Sequence, residues 1–133
     1  MTLLLDTHVW IWSQEQPEKL GRQTAQVLLD AEHTNTVCTI STLEIARLLA
    51  VGTISLAIPL SDWIAHSLSS LDATTLPVTH EIAAEAYALP STFHKDPADR
   101  ILVAAARLHE LTLLTADERI LQYPHVRTMD AQS

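Results

Sequence analysis

Cysteine, glycine and positive charge are all scarce in this chain of 133 residues. Cys38 is the only cysteine, which excludes a disulfide framework and a cysteine-based zinc centre. A lone thiol fits a reducing compartment. There are two glycines, Gly21 and Gly52, so no glycine-rich loop is available to cradle a phosphate, and a Walker-type or dinucleotide site is disfavoured. Lysine and arginine total 8 against 16 acidic residues, a formal net charge of −8. Such a chain has no basic face for sequence-nonspecific adhesion to nucleic acid. No apolar run reaches the length of a membrane span. The start, Met1-Thr2-Leu3-Leu4-Leu5-Asp6, has no basic residue and meets a carboxylate at once, unlike a secretory leader. These absences lead us to expect a cytoplasmic protein.

What is present is apolar. Hydrophobic residues make up 47% of the chain and charged residues 18%, which excludes a disordered polymer. The length predicts one domain over residues 1–133, able to bury roughly two thirds of its unfolded surface. The apolar excess leaves surface for a partner.

The chain alternates between short β-type and longer helical segments. Strands are predicted at Thr2–Asp6, Thr36–Ile40, Thr75–Thr79, Leu111–Thr115 and Val126–Met129. Helices are predicted at Thr7–Ser13, from Pro17 to Ala31, from Ser41 to Val51, from Ser61 to Leu71, at His80–Leu89, at Pro97–Glu110 and at Asp117–Leu121. Ser41-Thr42-Leu43-Glu44 has the capping-box pattern, and Gly52 supplies a stop. Strands separated by helices imply βαβ units, hence an α/β fold built as a three-layer α/β/α sandwich on a mostly parallel sheet. In such sheets ligands sit beyond the carboxyl ends of the strands.

That rule singles out a set of acids. Asp6 follows the first strand, Asp117 follows the Leu111–Thr115 strand, Glu44 lies early in the helix after the second strand, and Asp96 and Asp99 open the Pro97 helix. Each has an ordinary local explanation. Glu44 matches a capping box with Ser41, Asp96 before Pro97 is a good N-cap, and Asp117 suits the start of a short helix. Asp6 is the hardest to explain this way, because a carboxylate at the end of a buried strand is costly without a cation or several donors. Taken together, several anions in one cleft need neutralisation. A site with this many hard oxygen ligands suits Mg²⁺ or Mn²⁺. Two such ions, roughly 3.5–4 Å apart, support phosphodiester hydrolysis. The seven histidines form no HExxH or His-x3-His pair and read as surface or half-buried residues, and Cys38 reads as packing.

The segments Leu4-Leu5-Asp6-Thr7, Ile40-Ser41-Thr42-Leu43-Glu44, Asp96-Pro97-Ala98-Asp99-Arg100-Ile101-Leu102-Val103-Ala104-Ala105-Ala106 and Leu111-Thr112-Leu113-Leu114-Thr115-Ala116-Asp117 occur in this order across nearly the whole chain. Together they resemble the PIN-domain family, specifically the VapC-like ribonuclease toxins of type II toxin–antitoxin pairs. The resemblance implies a five-stranded parallel sheet of order 3-2-1-4-5 and a metal-dependent endoribonuclease. It implies that Asp6, Glu44, Asp99 and Asp117 are the catalytic acids. Asp6 and Asp99 would be the main ligands of Mg²⁺ or Mn²⁺, with Glu44 and Asp117 completing the site and Asp96 either a fifth acid or only a cap. Thr7, Ser41 and Thr115 would support the ligand carboxylates.

The resemblance further implies RNA as substrate, with tRNA one candidate, a homodimer, and a VapB-like antitoxin that carries the DNA contact. Trp10, Trp12 and Trp63, with Leu48 and Leu49, are candidates for an antitoxin groove, the alternative being ordinary core. Metal ions would supply the positive charge that the chain lacks: two divalent ions would move the formal total from −8 to −4. The candidate phosphate ligands among the few cations are Lys95, Arg100 and Arg47, and Arg100 could equally pair with a nearby acid. A receiver domain is a poor alternative, since Asp6 has no acidic neighbour and Lys19 and Lys95 are badly placed. A phosphatase of the Asp-x-Asp type lacks its second acid in Asp6-Thr7-His8. A catalytically inert PIN-like binding module remains the non-enzymatic alternative.

Overall fold

The structure, a computed structural model, describes residues 1–133. Five strands form one sheet: β1 (Thr2–Leu5), β2 (Thr34–Cys38), β3 (Thr74–Leu76), β4 (Thr112–Thr115) and β5 (Thr128–Asp130). Their order is β3-β2-β1-β4-β5 and every pairing is parallel. The helices are α1 (Thr7–Glu15), α2 (Arg22–Leu29), α3 (Thr39–Ala50), α4 (Leu60–Ser70), α5 (His80–Glu85), α6 (Pro97–Leu108) and α7 (Glu118–Leu121). None is long and apolar enough to cross a membrane.

Alternation along the central strands explains the layers. Leu4 and Leu113 point into one core with Ile82, Leu102, Val103 and Ile120. Leu3, Leu5 and Leu114 point into the other, with Trp10, Leu28, Ile45 and Trp63. Successive residues of a strand face opposite ways, so an unbroken run of leucines needs helices on both sides. The α/β sandwich expected from the sequence is therefore the one observed. Helix α6 is enclosed over Leu102–Ala106, and its three alanines let it lie close to the sheet.

From β1 the chain moves outward to β2 and β3, then crosses back to β4 on the other side of β1. The switch point of the sheet thus lies between the carboxyl ends of β1 and β4, where a crevice opens in folds of this kind.

Several boundaries differ from the sequence reading. Helix α3 starts at Thr39, two residues before Ser41, and the β-branched Thr39 and Ile40 are helical. Ser41 is then fully buried inside the helix instead of capping it, so the capping box with Glu44 does not form. The stretch from Pro17 is divided: a 3-10 turn at Pro17–Lys19, then a break, then α2. The break sits at Gly21, whose N–H donates to the Ala131 carbonyl at 2.9 Å. The helix at His80 stops at Glu85 rather than Leu89, with the Ala86 carbonyl taken by Arg100 Nε at 2.8 Å. The third and fifth strands are shorter and shifted, to Thr74–Leu76 and Thr128–Asp130.

Gly21 is required by close approach: a Cβ there would lie 1.9 Å from the Ser133 carbonyl oxygen and 2.5 Å from the Gln132 carbonyl carbon. Gly21→Ala is expected to destabilise the protein by about 1–3 kcal/mol in urea unfolding. Deleting Gln132 and Ser133 in the same chain should recover most of that loss. Unchanged stability in the single variant would mean the C-terminal residues do not press on this turn.

Candidate active site

Asp6 directly follows β1 and is 5% exposed. Its amide continues the ladder by donating to the Leu114 carbonyl at 2.9 Å, which pins the residue at the switch point. One carboxylate oxygen accepts from the Thr7 amide at 2.7 Å and the other from the Thr115 hydroxyl at 2.6 Å. Burial nevertheless dominates these donors and pushes the Asp6 carboxyl above its usual range, with a smaller contribution from Glu44.

Four further acids reach the same cleft, a space of about 340 Å³. Glu44 projects from the second turn of α3. Asp96 and Asp99 come from the start of α6, and Asp117 from the start of α7. Asp96 uses one oxygen to cap α6, accepting from the Asp99 amide at 3.0 Å. Asp117 accepts from the Arg119 amide at 2.9 Å and from the Arg119 guanidinium at 3.0 and 3.2 Å. Those bonds hold its carboxyl below the usual range despite partial burial. Asp99 has no such partner. Burial first, then the charges of Asp6, Asp96, Asp117 and Glu44, push it up to about 8.

Arg119 lines the cleft, and His94 lies beside Asp99. His94 Nε2 lies 3.1 Å from Asp99 Oδ2, close in distance but not aligned as a hydrogen bond. Burial and the Arg119 charge lower the His94 pKa, so near neutral pH this pair is a carboxylic acid beside an uncharged imidazole. Arg119, 63% exposed, leans over Asp117 and reaches Asp99 at 3.9 Å. Ligand atoms of His94, Asp99 and Asp117 lie within 4.8 Å of one another. Asp6 and Glu44 face the same space from outside that triad. A cleft in which one carboxylate keeps its proton is short of positive charge. Its carboxylate-rich donor set suits a hard divalent cation.

The fold has known counterparts. The family model for the PIN domain matches residues 3–126. The chain belongs to the PIN domain family. A curated relative, Ribonuclease VapC22 of Mycobacterium tuberculosis (strain ATCC 25618 / H37Rv), is 37% identical over 126 residues, covering 95% of each chain. Among solved structures, VapBC2 from Rickettsia felis bound to a promoter DNA fragment aligns with TM-score 0.72 at 14% identity, covering 97% of this chain and 98% of that one. A toxin–antitoxin complex from Klebsiella pneumoniae aligns with TM-score 0.66 at 21% identity, covering 97% of each. FitAcB from Neisseria gonorrhoeae aligns with TM-score 0.64 at 22% identity, again covering 97% of each. These likenesses between structures concern the fold.

In this PIN domain the hydroxyl groups singled out from sequence divide their work. Thr115 bonds Asp6, whereas the Thr7 hydroxyl donates to Ser41 Oγ at 2.9 Å and ties α1 to α3 beneath the cleft. Arg100 does not face the acids. Its guanidinium donates to the carbonyls of Ala86, Phe93 and His94 and lies over Tyr87, bracing the loop before α6. Lys95 is exposed in that loop. Arg47 is exposed beside an apolar hollow of Ile40, Leu43, Pro97 and Ala98 that shares Glu44 and Asp96 with the cleft. Trp10 and Trp63 are core, 0% and 4% exposed, their ring centres 5.0 Å apart and tilted at 51°, and Leu48 is buried with them. Leu49 also packs against that core, so the expected tryptophan groove is not on the surface. Trp12 departs from the other two and lines the acidic cleft with His8.

Sequence reasoning missed Arg119, His8 and Trp12 as cleft residues and His94 as the neighbour of Asp99. The available signals were proximity to the acids: Arg119 two residues after Asp117, His94 two before Asp96, and His8 with Trp12 one helical turn apart just after Asp6.

The Asp99 shift makes a pH prediction. Between about pH 4 and about 8 the folded metal-free protein holds a proton that the unfolded chain has released, so this group's contribution to stability falls as pH rises. The thermal midpoint of wild type relative to Asp99→Asn is expected to fall from about pH 5 to about pH 8. A constant difference would mean Asp99 ionises normally. Calorimetric titration with Mn²⁺ near neutral pH should show proton release on binding, read from two buffers of different ionisation enthalpy.

Proposed function

We propose that this PIN domain is a Mg²⁺- or Mn²⁺-dependent endoribonuclease, the toxin of a VapBC-like toxin–antitoxin pair. The observation that carries this reading is the delivery of Asp6, Glu44, Asp99 and Asp117 from four separate elements into one cleft at the switch point of the sheet. The relative named as a ribonuclease, matched along almost its whole length, supports it. So does the general use of divalent metal by PIN nucleases.

Asp6 and Asp99 would hold the metal, with Glu44 and Asp117 completing the site directly or through water. Divalent ions bound there would lower the pKa of a water nucleophile and stabilise charge on the leaving oxygen of a phosphodiester. The chain's own residues prepare for this. Thr115 and the Thr7 amide fix the Asp6 oxygens, so the carboxylate need not reorganise on binding. Asp99 gives up its proton when a cation arrives. Asp96 keeps α6 in place through its cap, leaving its second oxygen toward the cleft. Arg119 and Arg47 present exposed guanidinium groups at the cleft and its adjoining hollow, where phosphates flanking the scissile bond would lie, and Lys95 lies in the loop before α6.

The structural neighbours are toxin–antitoxin complexes, some on DNA. By analogy this chain works as a homodimer held by a VapB-like antitoxin, which makes the DNA contact that a chain of charge −8 is poorly suited to make. Its place of action is the cytoplasm and its substrate an RNA, tRNA among the candidates.

Expression of wild type is expected to arrest growth and to leave discrete RNA ends by end-sequencing. Asp6→Asn should lose both while keeping a wild-type circular-dichroism spectrum. Cleavage at wild-type rate by Asp6→Asn would overturn the mechanism. A wild type that binds Mn²⁺ and leaves all RNA intact would be an inert binding module.

A further inference from the structure

Helix α1 places two aromatic rings on the wall of the acidic cleft. His8 and Trp12 are four residues apart and share one helix face, with ring centroids 6.2 Å apart at 39°. Both line the space bounded by Asp6, Glu44, Asp99 and Asp117. The neighbouring Trp10 donates its indole N–H to Ser67 at 3.0 Å, and Trp63 donates to Glu15 at 3.2 Å. Trp12 makes no hydrogen bond through its indole nitrogen and is half-buried. Lys19, brought alongside by the 3-10 turn, holds its ammonium 5.3 Å from the Trp12 ring centre. Lys19 is exposed and belongs to none of the molecule's ion pairs.

A large apolar ring is an unusual wall for a cleft that otherwise collects carboxylates. It offers no ligand atom to a metal ion and is only half-buried. Its chemistry suits a flat partner with a π-face, and a nucleobase next to a phosphodiester is such a partner. The Lys19 ammonium, held over one face of the ring and in no ion pair, adds what the next phosphate needs. We propose that Trp12 is the stacking platform for one nucleobase adjoining the scissile phosphate, and that Lys19 contacts the backbone phosphate beside that base. Trp12 is on this view a substrate-positioning and specificity residue. The inference rests on the ribonuclease reading. Only an unpaired base can lay its face on the indole, so the platform requires an unstacked nucleotide at that position. A purine, with the larger face, is favoured there.

The test uses Asp6→Asn protein with Mg²⁺ and a fluorescein-labelled single-stranded oligoribonucleotide, read by anisotropy. Adding Trp12→Ala should weaken binding about 5- to 150-fold, the size of one base–aromatic stack. Trp12→Phe should recover most of it. Because the other two tryptophans are buried, quenching of indole emission by RNA should disappear in Trp12→Phe. An abasic scan of the oligonucleotide should find one position whose loss matches that of Trp12→Ala and does not add to it. Lys19→Ala should lower the slope of log affinity against log salt by about 0.7, one phosphate contact on a single strand. Near-ultraviolet dichroism from the Trp10–Trp63 pair checks that each variant is folded.

Equal affinity of Trp12→Ala and its parent, or equal quenching by a blunt duplex of the same sequence, overturns the platform. In the otherwise wild-type chain, Trp12→Ala should raise KM more than it lowers kcat. An unchanged KM with active cleavage overturns the platform and leaves the nuclease reading standing. Quenching by single-stranded RNA in a wild type that cleaves nothing supports the platform and overturns the nuclease reading.

Discussion

The carboxylate of Asp6 sits at the end of a fully buried strand, and much of the structure follows from what it takes to keep it there. A charge in that position is expensive. The protein meets the cost with the Thr7 amide, the Thr115 hydroxyl and a cleft that opens at the same point. The Thr7 amide is local, the N-cap of α1, but the Thr115 contact and the cleft depend on the parallel pairing of β1 with β4. That pairing puts Leu5 beside Leu114 and so brings the ends of two strands, 109 residues apart in sequence, within one hydrogen bond. The same pairing creates the switch point toward which α3, α6 and α7 direct Glu44, Asp99 and Asp117.

Crowding the acids has consequences of its own. Five of the chain's 16 acidic residues share the cleft, and they are not equivalent. Asp117 is neutralised by Arg119 and ionises easily, while Asp99, wedged among anions, keeps its proton to about 8. One site therefore contains a carboxylate paired with a guanidinium and one that keeps its proton. The net charge of −8, which at first sight argues against nucleic acid, is in good part a local charge at the place where a cation fits. Of the chain's 8 lysines and arginines, Arg119 lines the cleft itself and Lys19 lies over the ring of Trp12 on its wall.

Much of this was legible from sequence because the signals are local or ordered along the chain. Leu3-Leu4-Leu5 followed by Asp6 announces a buried strand with an acid at its end, and Leu111–Thr115 with Asp117 repeats the pattern. Capping boxes are also local, yet Ser41–Glu44 misled: α3 begins earlier because Ser41 is drawn under α1 by the Thr7 hydroxyl, a contact 34 residues away. The loss of that box leaves Glu44 without a capping role and free to face the cleft. The tryptophans misled for a similar reason. Trp10, Trp12 and Trp63 read from sequence as candidates for one groove, but Trp10 and Trp63 pack against each other at 51° in the core and Trp12 turns to the acids.

The sequence by itself determined the alternation of strands and helices, the α/β class and the acids that end up at the carboxyl edge, since strand burial and the position of a residue after a strand are properties of short segments. Only the tertiary structure decided what the long side chains do. Arg100, beside Asp99 in sequence, turns to the carbonyls of Ala86, Phe93 and His94, whereas Arg119 lies across the acids. A guanidinium takes the acceptors within reach of its tip, and those acceptors come together only when separate parts of the chain have folded against one another.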